Sequence, residues 1–190
     1  DAVEIVSDLV KIPSVSPFGR NETERRERFE RCREVLAYLE EFLQKQGAQT
    51  EQLVFEGGHD KWWYPVPNLY AELTIGDRKA AGHKFLCYMG HIDVVPVGEE
   101  KLWRRPPFSG QVDEGFVWGR GATDMKGSVG AWMSALEKLK AGKGDGVNLT
   151  IGTLITGDEE WAAVNGSDKV LAWMKANGKN PDAFIVGEPS

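Results

Sequence analysis

The sequence predicts an α/β/α sandwich around a mixed central sheet, and three observations predict it. Amphipathic segments of helical period alternate along the chain with short β-rich runs. The run Phe85-Leu86-Cys87-Tyr88-Met89 is apolar at nearly every position, as expected of a strand covered on both faces. A chain of 190 residues, 41% hydrophobic and 27% charged, also has the length and composition of one globular core.

Val3, Ile5, Val6, Leu9 and Val10 recur at helical spacing up to Pro13, which predicts a first helix over residues 2–12. After a polar loop at 14–21, charged residues alternate with Phe29, Val35, Leu36, Leu39, Phe42 and Leu43. This is the pattern of a long amphipathic helix over 22–46, stopped by Gly47, with its charges on a solvated face. Residues 50–55 and 68–75 have β character and flank a Gly- and Trp-bearing loop at 56–67. The strand at 85–89 follows, then a loop rich in Pro, Arg and Trp, and a small β segment at 116–118. A helix at 125–139, a strand at 148–156, a helix at 167–176 and a strand at 183–186 complete the pattern. No internal repeat or low-complexity linker interrupts it, so one domain is expected. The chain stops directly behind its last strand, which predicts a portion of a longer protein.

The formal net charge of −6 and the lack of a Lys/Arg-rich block argue against a nucleic-acid partner. No run of about eighteen apolar residues exists to span a bilayer, and a cytoplasmic protein with no membrane partner is expected. Cys32 and Cys87 are too few for a disulfide framework and are read as reduced thiols.

The chemistry concentrates in four loops. His91 and Asp93 stand two residues apart at the end of the apolar run. Gly119-Arg120-Gly121-Ala122-Thr123-Asp124-Met125-Lys126-Gly127, Thr156-Gly157-Asp158-Glu159-Glu160 and Val186-Gly187-Glu188-Pro189-Ser190 follow. If these loops converge on one sheet edge, they supply imidazole nitrogen and carboxylate oxygens to a metal. Neutral His91 suits a ligand, and Asp93 suits the carboxylate that fixes its tautomer. Asp124 is able to bridge two ions, although an Asp before a helix more commonly only caps it. Of the adjacent Glu159 and Glu160, one can bind metal while the other faces its water; a bare acidic helix start is the plainer reading. Glu188 alone is a turn residue. Trp62, Trp63 and Trp161 read as packing residues. Arg104 and Arg105 in the segment 103–108 suit an anionic substrate, against a solvated loop with buried aromatics as the blander reading.

Taken together, the motifs at 91–96, 103–108, 119–127, 155–160, 165–166 and 186–190 resemble the co-catalytic zinc amidohydrolase family of desuccinylases, deacetylases and carboxypeptidases, and most of all its desuccinylases. The resemblance implies a two-zinc site, with Co2+ a possible substitute. Asp124 bridges, His91 and Glu188 complete one metal, and Glu160 binds the other. Glu159 is then the general acid/base and Asp93 orients His91. The implied reaction is hydrolysis of N-succinyl-LL-2,6-diaminopimelate to succinate and LL-2,6-diaminopimelate on the route to lysine. An acetylornithine deacetylase, a metallo-carboxypeptidase of the same family, or a non-catalytic fragment or binding module are the alternatives, with an inactive isolated portion among the expected outcomes. The partner is a small-molecule N-acyl amino acid, and the full-length protein is expected to be a homodimer. Residues 1–190 would form the N-terminal portion of the catalytic domain, without the dimerisation domain or the C-terminal catalytic portion. The sequence departs from the family in lacking its second histidine ligand, which neither His59 nor His83 matches, so at most one tightly held zinc per chain is expected. Trp161 stands where a small residue is usual.

Overall fold

The computed structural model describes residues 1–16, 18–19, 21–57, 64–142 and 147–189. His59, Trp62 and Trp63 lie outside the described residues.

Helix α1 (Ala2–Lys11) opens on a capping box, in which the Asp1 carboxylate accepts the Glu4 N–H at 3.0 Å. Helix α2 (Glu22–Lys45) is capped by Asn21 and buries Cys32, Val35, Leu36, Leu39 and Leu43, the stripe that the sequence spacing predicts. The strands are β1 (Gln49–Phe55), β2 (Val66–Ile75), β3 (Lys84–His91), β4 (Gln111–Asp113), β5 (Phe116–Trp118), β6 (Leu149–Thr156) and β7 (Ala183–Val186). Helices α3 (Gly127–Ala141) and α4 (Ser167–Ala176) complete the fold.

Five strands form one sheet in the order β1-β2-β6-β3-β7. Pairing is antiparallel from β1 through β2 to β6 and parallel from β6 through β3 to β7, so the sheet is mixed as predicted. Strand β6 is buried from Thr150 to Thr156, as its place between β2 and β3 requires. On one face α1, α2 and α3 pack Leu9, Leu36, Leu39 and Met133 against Leu69, Ala71, Ile151 and Ile155. On the other, α4 packs Val170 and Met174 against Tyr70, Cys87 and Leu154. Each such fully buried aliphatic side chain contributes roughly 1.5–3 kcal/mol, which makes helices on both faces the stable arrangement.

Two elements differ from expectation. Strand β4 pairs with β5 as a separate hairpin, although only the 116–118 segment has visible β character in the sequence. Helix α3 begins at Gly127 rather than Met125, because Asp124 and Met125 hold non-helical backbone angles.

Cys32 and Cys87 are both free and fully buried. Burial, and then the charge of Glu72, pushes the Cys87 thiol from 9.0 up to about 12; burial, followed by Asp93, also raises Cys32. Above pH 9 the unfolded thiols lose protons that the folded chain keeps. The unfolded state then binds fewer protons, and stability falls as pH rises from about 9 towards 12, by up to about 1.4 kcal/mol per pH unit for each thiol. Urea melts across this range should show that decline, and Cys87→Ala should make it shallower; an unchanged slope would refute the assignment.

Candidate metal centre

The parallel half of the sheet brings the loops together. His91, the last residue of β3, is in register with Thr156, the last of β6, and Met89 with Val186, the last of β7. Three parallel strands thus end side by side, and the loops carrying Asp93, Glu159 with Glu160, and Glu188 leave from one edge. The turn Ala122–Lys126 ahead of α3 brings Asp124 to the same place.

His91 is 1% exposed, and its ring is fixed from behind. Nδ1 lies 2.9 Å from the Asp93 backbone carbonyl and 3.5 Å from the Asp93 carboxylate. A carbonyl only accepts, so Nδ1 carries the proton and Nε2 is left to face outward. Nε2 meets Asp124 Oδ1 at 3.1 Å, Glu188 Oε1 at 3.4 Å and Glu159 Oε2 at 3.7 Å.

The Asp93 carboxylate is fully buried and does more than flank His91. It accepts the Glu159 N–H at 3.1 Å and the Glu160 N–H at 3.0 Å, fixing the backbone of both glutamates. Their side chains therefore diverge. Glu159 groups with His91 and Glu188, Glu160 with His91 and Asp124, and within each trio the ligand atoms lie within 4.8 Å of one another.

The capping reading of Asp124 does not describe this structure: Lys126 occupies the cap position of α3 without a side-chain capping bond, and the Asp124 carboxylate turns to His91. Gly121, at φ +81, makes the tight turn that this path needs, and the Lys126 N–H closes it on the Gly121 carbonyl at 2.9 Å. Lys126 itself is fully buried, and its Nζ donates to the Leu9 and Ile12 carbonyls at 2.8 Å, tying the Asp124 loop to the end of α1. At Gly187 an added Cβ would come within 2.2 Å of Ser128 Oγ and 2.4 Å of Tyr88 Oη, so the Glu188 loop packs closely on both side chains.

Sequence reasoning assigned no role to Asp158. Its carboxyl is buried, accepts the Tyr64 hydroxyl at 3.0 Å and the Asn165 N–H at 3.0 Å, and so closes the loop carrying Glu159 and Glu160 from the far side. The available signal was three consecutive acids after a buried strand, more than a surface turn needs. Arg104 and Arg105 pair with Glu114 and Asp113 of the β4–β5 hairpin and lie over the Trp118 ring, which leaves them engaged locally. Trp161 is 51% exposed and stacks on Phe18.

Five carboxylates, of Asp93, Asp124, Glu159, Glu160 and Glu188, surround one imidazole. Among the described residues no lysine or arginine pairs with any of them. Burial pulls His91 down, but the hydrogen bond and charge of Asp93, then Glu188, outweigh it and push the ring up to about 9. Burial raises Glu160 and Glu188 as well; His91 opposes this, and the neighbouring carboxylates add to it. Such crowding is unfavourable without a compensating cation. A cavity of about 50 Å³ beside His91, Glu159 and Glu188 has room for a single small group. The donor set therefore fits a divalent ion that accepts imidazole and carboxylate ligands. Asp93→Ala should lower the affinity for added Zn2+ by about 10- to 100-fold in a competitive chelator titration, as loss of a supporting carboxylate generally does; unchanged affinity would show that Asp93 plays no supporting part.

With this geometry in place, three kinds of comparison point the same way. The family model described as Peptidase family M20/M25/M40 matches residues 87–190. Succinyl-diaminopimelate desuccinylases of Xanthobacter autotrophicus and Rhodospirillum centenum are 37% and 39% identical over 98% and 100% of this chain. The chain spans about two fifths of these relatives, 42% and 43% of their lengths. Among solved structures, human carnosine dipeptidase 1 superposes with a TM-score of 0.80 at 24% identity, over 99% of this chain and 38% of that one. An M20 family metallo-carboxypeptidase of Sulfolobus solfataricus gives 0.74 at 25% identity, over 100% of this chain and 38% of its own.

Proposed function

Because the chain belongs to peptidase family M20/M25/M40, we propose that it carries the metal-binding part of a zinc-dependent amide hydrolase acting on N-succinyl-LL-2,6-diaminopimelate. The observation that carries this reading is the buried imidazole whose Nδ1 is committed to the Asp93 carbonyl while Nε2 faces the Asp124, Glu159 and Glu188 carboxylates. The names of the curated relatives support the substrate.

In this reading His91, Asp124, Glu160 and Glu188 hold the metal. Bound there, zinc supplies Lewis acidity towards an amide carbonyl and makes water more acidic at neutral pH. The remaining chemistry falls to Glu159, whose carboxylate is half-exposed and whose Oε2 lies 3.7 Å from His91 Nε2. It takes a proton from the attacking water and delivers it to the leaving amine nitrogen. Asp93 keeps Glu159 in place through its backbone N–H, so acid/base group and ligands share one support. The same resemblance supports a homodimeric full-length protein, and a cytoplasmic location is proposed from the sequence. Among the described residues, no helix is long and apolar enough to cross a membrane.

His91 is the one imidazole among these four ligands, and both clusters of side chains share it. The dialysed chain should therefore retain at most one zinc by mass spectrometry, and Asp124→Ala should lose it; two tightly held ions would refute the single-site expectation. Glu159→Gln should keep its metal and, in the full-length protein, lose at least about 100-fold in hydrolysis of the succinyl substrate. Hydrolysis at the parent rate in this variant would remove Glu159 from the acid/base role, and absence of metal from the parent would leave a binding module.

A further inference from the structure

Beside the candidate metal centre lies a second cavity, of about 190 Å³, between the segment after α1, the loop after His91 and the loop after β6. The first two are stitched together: Ser16 N–H donates to the Val94 carbonyl at 3.0 Å, and Val94 N–H to the Ser14 carbonyl at 2.9 Å. The walls are the rings of Phe18 and Trp161, Pro96 and Glu160. Phe18 and Trp161 stack with centroids 5.0 Å apart and planes 8° from parallel. Glu160 also belongs to the ligand trio with His91 and Asp124, so one carboxylate separates this pocket from the metal centre.

We propose that the Phe18–Trp161 pocket is a substrate subsite that receives the hydrocarbon portion next to the scissile amide. This rests on the amide-hydrolase reading above and adds to it the group that the neighbouring pocket takes. Two aromatic rings and a proline form an apolar wall. Arg28 contributes no free cation: its guanidinium is spent on the Ser16 and Phe18 carbonyls and the Glu24 carboxylate. With Glu160 on the rim, an anionic group would be repelled, so the pocket suits the methylenes of a substrate rather than its carboxylates. Its size fits the same group, since a dry cavity of about 150 Å³ accepts a benzene ring. Ser16 adds one polar point. It is 3% exposed, lines the pocket, and its Oγ has no hydrogen-bond partner among the described residues. A substrate amide or carbonyl entering beside the hydrocarbon would satisfy it.

The test is calorimetric binding of two ligand series to the zinc-loaded chain. One series keeps the succinyl group and lengthens the amino-acid side chain from glycine through 2-aminobutyrate to norleucine. The other keeps glycine and lengthens the acyl group from acetyl to hexanoyl. Affinity should rise in one series by up to about fourfold per methylene that enters the pocket, and Trp161→Gly should flatten that rise. Phe18→Leu, which keeps apolar bulk but removes the ring, should give an intermediate slope and guards against simple collapse of the loop. A flat response in both series, no saturable binding, or a slope that survives in both variants would overturn the subsite. Hydrolysis of the same succinyl series by the full-length protein is followed in parallel. A chain-length-dependent affinity without any hydrolysis would overturn the amide-hydrolase reading and leave the subsite; hydrolysis with a flat response would do the reverse.

Discussion

The candidate centre depends on one buried carboxylate. Asp93 is excluded from water, and an ion in that position is tolerated only if several donors meet it. Here the donors are the backbone N–H groups of Glu159 and Glu160, with the protonated edge of His91 nearby. The cost of burying Asp93 therefore dictates where three other functional groups sit. Displacing the Glu159–Glu160 loop would strand a charge in the interior, a far larger penalty than losing a surface contact. This coupling makes the constellation rigid although its members come from separate loops.

The sheet supplies the other half of that rigidity. Parallel pairing of β6, β3 and β7 sends three chain ends in the same direction, whereas an antiparallel neighbour would have carried its loop to the opposite edge. The fourth member, Asp124, comes from no strand and needs separate anchorage. Lys126 provides it by donating to the Leu9 and Ile12 carbonyls at the C-terminal end of α1. Burial lowers Lys126 to about 7, against the pull of Cys32 and Asp93, so part of its charge is sacrificed in that position. The N-terminal helix thereby becomes part of the metal loop's foundation as well as a layer of the sandwich.

Much of this was legible in the sequence because it follows from local patterns. The amphipathic stripe of α2, the apolar run of β3 and the acid-bearing strand ends are properties of short windows, and they located the six residues that the fold brings to one edge. What was not legible depends on contacts distant in sequence. Strand β4 is three residues long and exists only through its pairing with β5. Asp158 looked like its neighbours Glu159 and Glu160 but is drawn inward by Tyr64 and Asn165, one of them 94 residues away. The non-helical backbone at Asp124 was hidden because the helical period of α3 runs back smoothly through Met125. Arg104 and Arg105 gave no sign of the acids that occupy them, since Asp113 and Glu114 approach only when the hairpin closes.

The charge distribution explains why the same loops form both a centre and a pocket. Crowding five carboxylates around His91 is unfavourable by itself, and a divalent cation bound among them would offset that repulsion. The crowding also repels any further anion. A substrate with several carboxylates, of the kind proposed above, would have to direct its charged groups either at the cation or away from the chain, leaving its hydrocarbon to rest against the protein next to Glu160. The Phe18–Trp161 stack lies on that side of the centre. An apolar wall beside an acidic centre is thus the arrangement in which both parts of such a substrate find a favourable environment.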